Sequence, residues 1–413
     1  VTAPAEPSAA GSAARHPSLL RDASFLRLWS GTTASGLATW ALPFVLGLAA
    51  LDHALTPAGL GLVLAARTAG FLAAVPVSGV LADRYSRRGV VLWSGLAAAL
   101  AAPVIALGLG WSVPLMALAS AVAGAGQGAC RPAFQALTAE VVDQARRQRA
   151  NAATTLAVRV TTLVGPALTA LLATVLDTAA LLLGIGLLWL VAALLPPSGT
   201  AGVLPPDTPR RRTALRTDFA EGVREARRHP WFLAGLGALT AVIATGYSAT
   251  GVALPLVSRD RYGSEAVLAS ATTCYVAGAL AGALLVARWR PRAQGWTALA
   301  GLACYGFAPL SLLLPVHPVA VAVAYVLAGI GIELFNVPWF TATQREIAPD
   351  KLARVSSLDF LLSYGLAPAG LALITPAMNA FGAPAVLGGC ALVCFLAPAA
   401  AALVPGTRSF SRT

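Results

Sequence analysis

Runs of about 20 predominantly apolar residues recur along nearly the whole of this 413-residue chain, and that recurrence decides its solvent before any motif is considered. A helix rising 1.5 Å per residue needs about 20 residues to cross a hydrocarbon core about 30 Å thick. Soluble domains carry about 25% charged residues. Here 11% are charged and 57% are hydrophobic, so most of the chain cannot face water.

Apolar runs between charged or Pro/Gly-marked breaks predict spans near 24–50, 57–81, 90–110, 112–138, 149–175 and 178–195. A second set follows near 231–257, 265–287, 295–314, 318–346, 355–377 and 382–405. The expected architecture is an all-α polytopic membrane protein with twelve transmembrane helices in two six-helix bundles, 20–195 and 231–405. Residues 1–19, rich in Ala, Pro and Ser, read as a disordered cytoplasmic tail with no cleavable leader. Residues 196–230 form the long polar linker, within which RTALRTDFAEGVREARR reads as a charged helix on the membrane surface. Residues 406–413 are a second cytoplasmic tail.

With both ends cytoplasmic, 24 of the 29 basic residues fall inside, including clusters at Arg84, Arg87 and Arg88, at Arg210, Arg211 and Arg212, and at Arg288, Arg290 and Arg292. Arg259 and Arg261 fall outside, and Arg67, Arg131 and Arg159 stay within spans. That asymmetry follows the positive-inside rule. The net charge of +12 is thereby accounted for by topology and anionic lipid, and nucleic acid is not an expected partner. The five cysteines lie in apolar segments with no CxxC pair, so neither a metal nor another cofactor is expected. The single lysine, Lys351, stands in Pro349-Asp350-Lys351-Leu352, which excludes a phosphate-cradling G-x-x-x-x-G-K-[ST] loop. No G-x-S-x-G elbow, H-E-x-x-H pair or aspartate dyad occurs in a span, so an enzyme is not expected.

The halves share a weak repeat. At an offset of 206, Pro132, Phe134, Ala136 and Glu140 of CRPAFQALTAEVV recur as Pro338, Phe340, Ala342 and Glu346 of NVPWFTATQREIA. At a similar offset Gly79 meets Gly282, each ahead of an arginine cluster. Paired six-helix repeats around a central site are one architecture for alternating access.

The segment Gly79-Val80-Leu81-Ala82-Asp83-Arg84-Tyr85-Ser86-Arg87-Arg88 resembles the loop between helices 2 and 3 of the major facilitator superfamily. Glycine permits close helix approach, the arginines hold the turn in the cytoplasm, and Asp83 offers a carboxylate to a helix N-terminus or an arginine. The resemblance implies a latch of Gly79, Asp83, Arg84, Arg87 and Arg88 closing on Arg354 in LARVSSLDF, with Asp359 joining it. RDASFLRLWSG, ACRPAFQAL and WFTATQREIAPDKLARVSSLDFLLSYGLAPAG are similar to the branch containing macrolide-efflux and siderophore-export proteins. That branch implies export of drug-like or natural-product molecules in exchange for protons across a bacterial cytoplasmic membrane, by a functional monomer. Gly165-Pro166 resembles the helix-bending dipeptide of exporters, but Thr161, Thr169 and Ala170 replace its surrounding glycines. The first span carries Ser35-Gly36-Leu37-Ala38-Thr39 where relatives often place an acid. Nothing physical in the residues fixes direction, so an importer, a lipid carrier or a transport-dead sensor of the same fold stays open.

Ionisable groups within spans are functional candidates, because each costs about 2.5–3.5 kcal/mol on insertion scales unless paired or hydrated. Glu333 lies midway along the tenth span, opposite Gln127 in the repeat. It reads either as a proton carrier or as half of a fixed ion pair with a membrane arginine. The arginine excess favours an anionic or zwitterionic substrate. Arg67 and Arg131 are cavity candidates, Arg131 because Gln127 and Gln135 share its helical face; Arg131 and Arg159 also lie nearer the cytoplasmic side, where either reads as a helix staple or a snorkelling group, and Arg159 is taken as structural. Trp40, Tyr247, Tyr275, Asn336 and Trp339 are further candidates for the walls of a site for a bulky amphipathic molecule.

Overall fold

The computed structural model describes residues 19–84, 86–199, 215–289 and 291–411, and these are helical throughout apart from turns. The 1–18 part of the N-terminal tail, Tyr85, most of the linker with Arg210, Arg211 and Arg212, Arg290 and Arg412 lie outside the described residues. Helices α1 (Ala23–Leu51), α2 (Pro57–Arg84), α3 (Arg87–Gly108), α4 (Val113–Val141), α5 (Arg147–Leu172) and α6 (Thr178–Leu194) come first. The polar helix α7 (Leu215–Arg227) follows, on the segment expected to form a surface helix. Then come α8 (Pro230–Val242), a π-helical turn (Ile243–Tyr247), α9 (Ser248–Asp260) and α10 (Ala266–Arg288). The chain continues with α11 (Gln294–Ala303), a 3-10 turn (Cys304–Gly306), α12 (Phe307–Leu313) and α13 (Pro318–Glu346). It ends with α14 (Leu352–Gly365), α15 (Ala367–Phe381) and α16 (Ala383–Ala402).

Ten helical stretches among the described residues are long and apolar enough to cross a membrane, the α8–α9 and α11–α12 runs each counting as one. α6, with 17 residues, is shorter, and the predicted eleventh span is interrupted at Leu366 between α14 and α15. Side-chain caps explain several boundaries. Ser86 accepts a hydrogen bond from the Gly89 amide, so α3 starts at Arg87 rather than near residue 90. Asp22, Ser112 and Asp177 cap α1, α4 and α6 in the same way.

α1 to α6 pack on one another, chiefly α2 and α3 on α4, α3 on α6, and α1 on α5 and α6. The later helices repeat the plan, with α10 and α11 on α13, and α16 on α8 and α11. Without a hydrophobic force between helices in lipid, small residues let backbones meet. Gly70 faces the Ala121 backbone and Gly124 faces the Arg67 carbonyl between α2 and α4. Gly278 faces Val326 and Gly329 faces the Tyr275 carbonyl between α10 and α13. The packing thus makes Arg67 and Tyr275 counterparts. It does not equate Gly79 with Gly282: Gly79 abuts Ala353 and Ser357 of α14, whereas Gly282 abuts Ile330 and Glu333 of α13 within its own helix group.

Past α16, the expected second tail is docked. Phe410 is fully buried against Trp231, Phe335 and Trp339, and Arg345 donates to the Ser409 and Phe410 carbonyls. Phe410 takes the left-handed backbone region at φ 50°, where a side chain is tolerated only when its surroundings hold it.

Leucine at Gly124 or Gly329 would drive a side chain into the facing backbone. Overpacking of this kind costs about 1–3 kcal/mol or more, and each variant is expected to melt at lower temperature in detergent. Gly61→Ala and Gly237→Ala, where nothing lies within 4 Å, are expected to melt as the parent does.

Candidate functional site

The two helix groups are joined at the end bearing the arginine-rich turns. Asp83, at the end of α2, accepts hydrogen bonds from the Ala353 and Arg354 amides at 3.0 and 2.8 Å. A carboxylate there satisfies the orphan donors of α14 and meets the positive end of its dipole. The Arg354 side chain approaches the same carboxylate at 3.6 Å and Arg87 approaches it at 3.7 Å. Gly79 lies one turn back, and any larger residue would strike Ser357 and the Ala353 carbonyl. Arg87 also bonds Glu140 and the Pro349 carbonyl, linking α3, α4 and the turn before α14.

Two residues expected in this latch lie elsewhere. Arg88 donates to the Leu194 carbonyl at the end of α6, so it ties helices within the first group. Asp359 is buried about two turns into α14, where Trp339 Nε1 and Ser363 Oγ donate to it at 3.1 and 3.0 Å; lying about one and a half turns past the Ala353 and Arg354 amides, it faces away from Asp83. Arg84 ends α2 beside the latch.

The linker helix is attached to the same place. Glu221 accepts from Arg354 and Glu225 accepts from Lys351, both at 2.9 Å, and Gly222 brings α7 against Arg354. Burial works against charge on Glu225, but the Lys351 hydrogen bond and charge, with His229 and Arg228, outweigh it and hold the carboxyl below its ordinary value. The sign follows: this group stabilises the fold above its unfolded pKa and stops doing so as pH falls through the lowered one.

A polar seam runs from the latch toward the middle of the bundle. Arg147 donates to the Gln344 carbonyl, and Gln148 donates to the Val286 and Trp289 carbonyls. Asn151 meets Thr341 and Gln344, and Gln344 donates to Gln135. At its deep end Arg159 Nε stands 2.6 Å from Glu333 Oε1, with Glu333 wholly inaccessible to solvent. This pair joins α5 to α13 and so joins the two groups. Tyr275 lies beneath the Arg159 guanidinium at 5.8 Å, Glu333 Oε2 is buried without a hydrogen-bond partner, and Asn336 follows Glu333 by three residues on α13.

The other cavity candidates divide. Arg67 donates to the Gln127 amide oxygen at 2.7 Å, and Arg131 lies 4.9 Å from the Tyr364 ring centroid, so the face of α4 carrying Gln127, Arg131 and Gln135 looks toward the junction. Tyr247, on the π-helical turn, is 46% exposed and stands 6.5 Å from the Tyr305 ring, which in turn neighbours Tyr275 at 6.3 Å. Trp40 is half-buried, and its Cβ lies against Gly165 of α5, the glycine preceding Pro166. α5 continues through Gly165 and Pro166 as one helix from Arg147 to Leu172. Trp339 lines nothing: it is fully buried, stacked on Phe232 and Phe335. Its bulk belongs to the core of the second group.

Sequence reasoning passed over Tyr364, Tyr305, Gln148, Asn151 and Gln344. Tyr364 lies five residues past Asp359, and Gln148 and Asn151 follow the Arg146–Arg147 cluster, but neither position has a spacing that announces a partner. A 320 Å³ polar hollow beside the latch is lined by Arg87, Glu140, Arg147, Gln344 and Arg345, whose side chains all bond within the protein. A 590 Å³ apolar groove between α2, α3 and α4 lies apart from the ion pair.

Residues 28–372 match the family model described as Major Facilitator Superfamily. Among solved structures, the human organic anion transporter MFSD10 (TETRAN) has the same fold, with a TM-score of 0.74 at 16% identity over 94% of this chain and 100% of that one. No curated protein matches in sequence.

If the Asp83 cap holds the two groups together, Asp83→Asn and Gly79→Leu each separate the ends of α5 and α10. Spin labels at positions 149 and 288 of a cysteine-free protein are expected to report a longer mean distance in both variants. For the linker, Glu225→Gln is expected to raise amide hydrogen exchange across Leu215–Arg227.

Proposed function

Because the chain belongs to the major facilitator superfamily, a family of membrane transporters, we propose that it is a proton-coupled secondary exporter of a drug-like or natural-product small molecule, working by alternating access in a bacterial cytoplasmic membrane. In this reading α1 to α6 and α8 to α16 are two six-crossing halves, with α6 and the broken α14–α15 run completing twelve crossings and both termini in the cytoplasm. The arginine-rich turns support that orientation.

The observation that carries the reading is the Arg159–Glu333 pair, a buried ion pair whose members come from opposite halves. Removing one partner of a buried pair costs about 3–5 kcal/mol, because the other charge is left alone in low dielectric. A proton on Glu333 removes that charge and releases Arg159 at the deep end of the seam. Asp83, Gln148 and Asn151 then hold the cytoplasmic end alone, and it opens to load substrate. Proton loss to the cytoplasm restores the pair and closes that end behind the substrate. Both the fixed-pair and the carrier interpretations of Glu333 thus describe one cycle, paired in one state and protonated in the other.

The driving force is adequate, since one charge moving through 100 mV supplies about 2.3 kcal/mol, about a fortyfold concentration ratio. Export as the direction rests on the resemblance of the start of the first span, the fourth span and the α13–α15 region to exporters.

Glu333→Gln is expected to abolish transport driven by a pH gradient in proteoliposomes while sparing substrate exchange. Normal gradient-driven transport in that variant would remove Glu333 from the coupling. A susceptibility screen on overexpression, against a panel of antibiotics and natural products, tests export: raised resistance to at least one compound is expected.

A further inference from the structure

Three guanidiniums lie inside the spans, and the protein answers them differently. Arg159 has the Glu333 carboxylate. Arg67 has only the neutral Gln127 oxygen, and its Nε is buried without a hydrogen-bond partner. Arg131 has only the face of Tyr364. Among the described residues neither Arg67 nor Arg131 is in an ion pair, and Glu333 is already taken by Arg159. Gln127 precedes Arg131 by four residues, one helical turn, so the amide that orients Arg67 sits beside the second guanidinium. Arg67 of α2 and Arg131 of α4 thus flank the same glutamine.

Two like charges within neighbouring spans, met by neutral partners among the described residues, are costly for a helix pair to keep. An amide and an aromatic face orient a guanidinium without neutralising it, and a planar fork so held presents paired donors to an oxyanion. Tyr364, 43% exposed, leaves ring surface free beside them for an apolar body.

We propose that Arg67 and Arg131 form an anion subsite, so that the transported molecule is an organic anion, its carboxylate or phosphonate-like group held by both guanidiniums and its apolar part against Tyr364. This rests on the transporter reading but not on its direction or its coupling to protons. Gln127 is a positioning residue that keeps Arg67 aimed at its neighbour.

The test is equilibrium binding to the full-length protein in phosphatidylcholine nanodiscs, without any gradient. The probes are matched sets of dansylated aryl carboxylates and phosphonates of increasing size, each with its neutral amide or diester and a cationic amine. The parent protein is expected to bind at least one acid about tenfold more tightly than its neutral partner. Arg67→Gln and Arg131→Gln are expected to erase that difference without weakening the neutral compound, and Arg131→Lys to keep part of it. Retained binding of the neutral compound reports that each variant is folded. If no acid in the series is preferred over its neutral partner, or if the preference survives in the double variant, the proposal is wrong. If phosphatidylglycerol added to the disc displaces the acid in the parent but not in Arg67→Gln, the pair holds a lipid headgroup and the substrate assignment falls. Failure of the Glu333→Gln experiment would leave this result untouched, because no proton gradient enters it.

Discussion

A charge within a hydrocarbon slab must be met by another charge, an oriented dipole or water, and the Arg159–Glu333 contact is where this chain meets that demand across its two halves. The rest of the junction is arranged behind it. The seam of Gln148, Asn151 and Gln344 runs between that pair and the Asp83 cap, so each step toward the arginine-rich turns exchanges ionic for neutral hydrogen bonding and then for a carboxylate on a helix end. In the proposed cycle such contacts are made in one arrangement of the halves and broken in the other. They suit a two-state machine better than an apolar interface would, because water can satisfy every one of them once it enters.

The attachment of α7 adds a second hold on the element that Asp83 grasps. Arg354 receives Asp83 through its amide and Glu221 through its side chain, and Lys351 is tied to Glu225. The linker therefore does more than join the halves: it holds the N-terminus of α14 while packing beside α2. An end of a helix held from two directions moves only when both partners move with it.

Much of the helical plan was legible in the sequence because lipid allows so few solutions. Backbone groups must be satisfied internally, so apolar length alone locates α1 to α5, α10, α13 and α16 within a few residues. Asp83, Gly79 and Arg354 were legible as neighbours because a short turn motif carries their geometry. Asp359 and Trp339 were misplaced for a common reason: residue type and depth were known, but helix rotation was not, and rotation turned both toward the core of the second half. The partner of Glu333 was undecided among three arginines, since only the packing of α5 against α10 and α13 selects Arg159. The Gly79–Gly282 equivalence failed because in Ala-rich helices glycine spacing recurs by composition, whereas contact with the facing backbone identifies Gly70 and Gly278.

The seating of Phe410 also bears on how the molecule is made. Trp231 opens α8, Trp339 lies in α13, and the ring that fills the space between them arrives only after α16 has been synthesised. The second helix group therefore keeps an unfilled aromatic socket until residue 410 is made. Its core packing cannot be completed helix by helix as synthesis proceeds, because the last ring of that core follows the last helix.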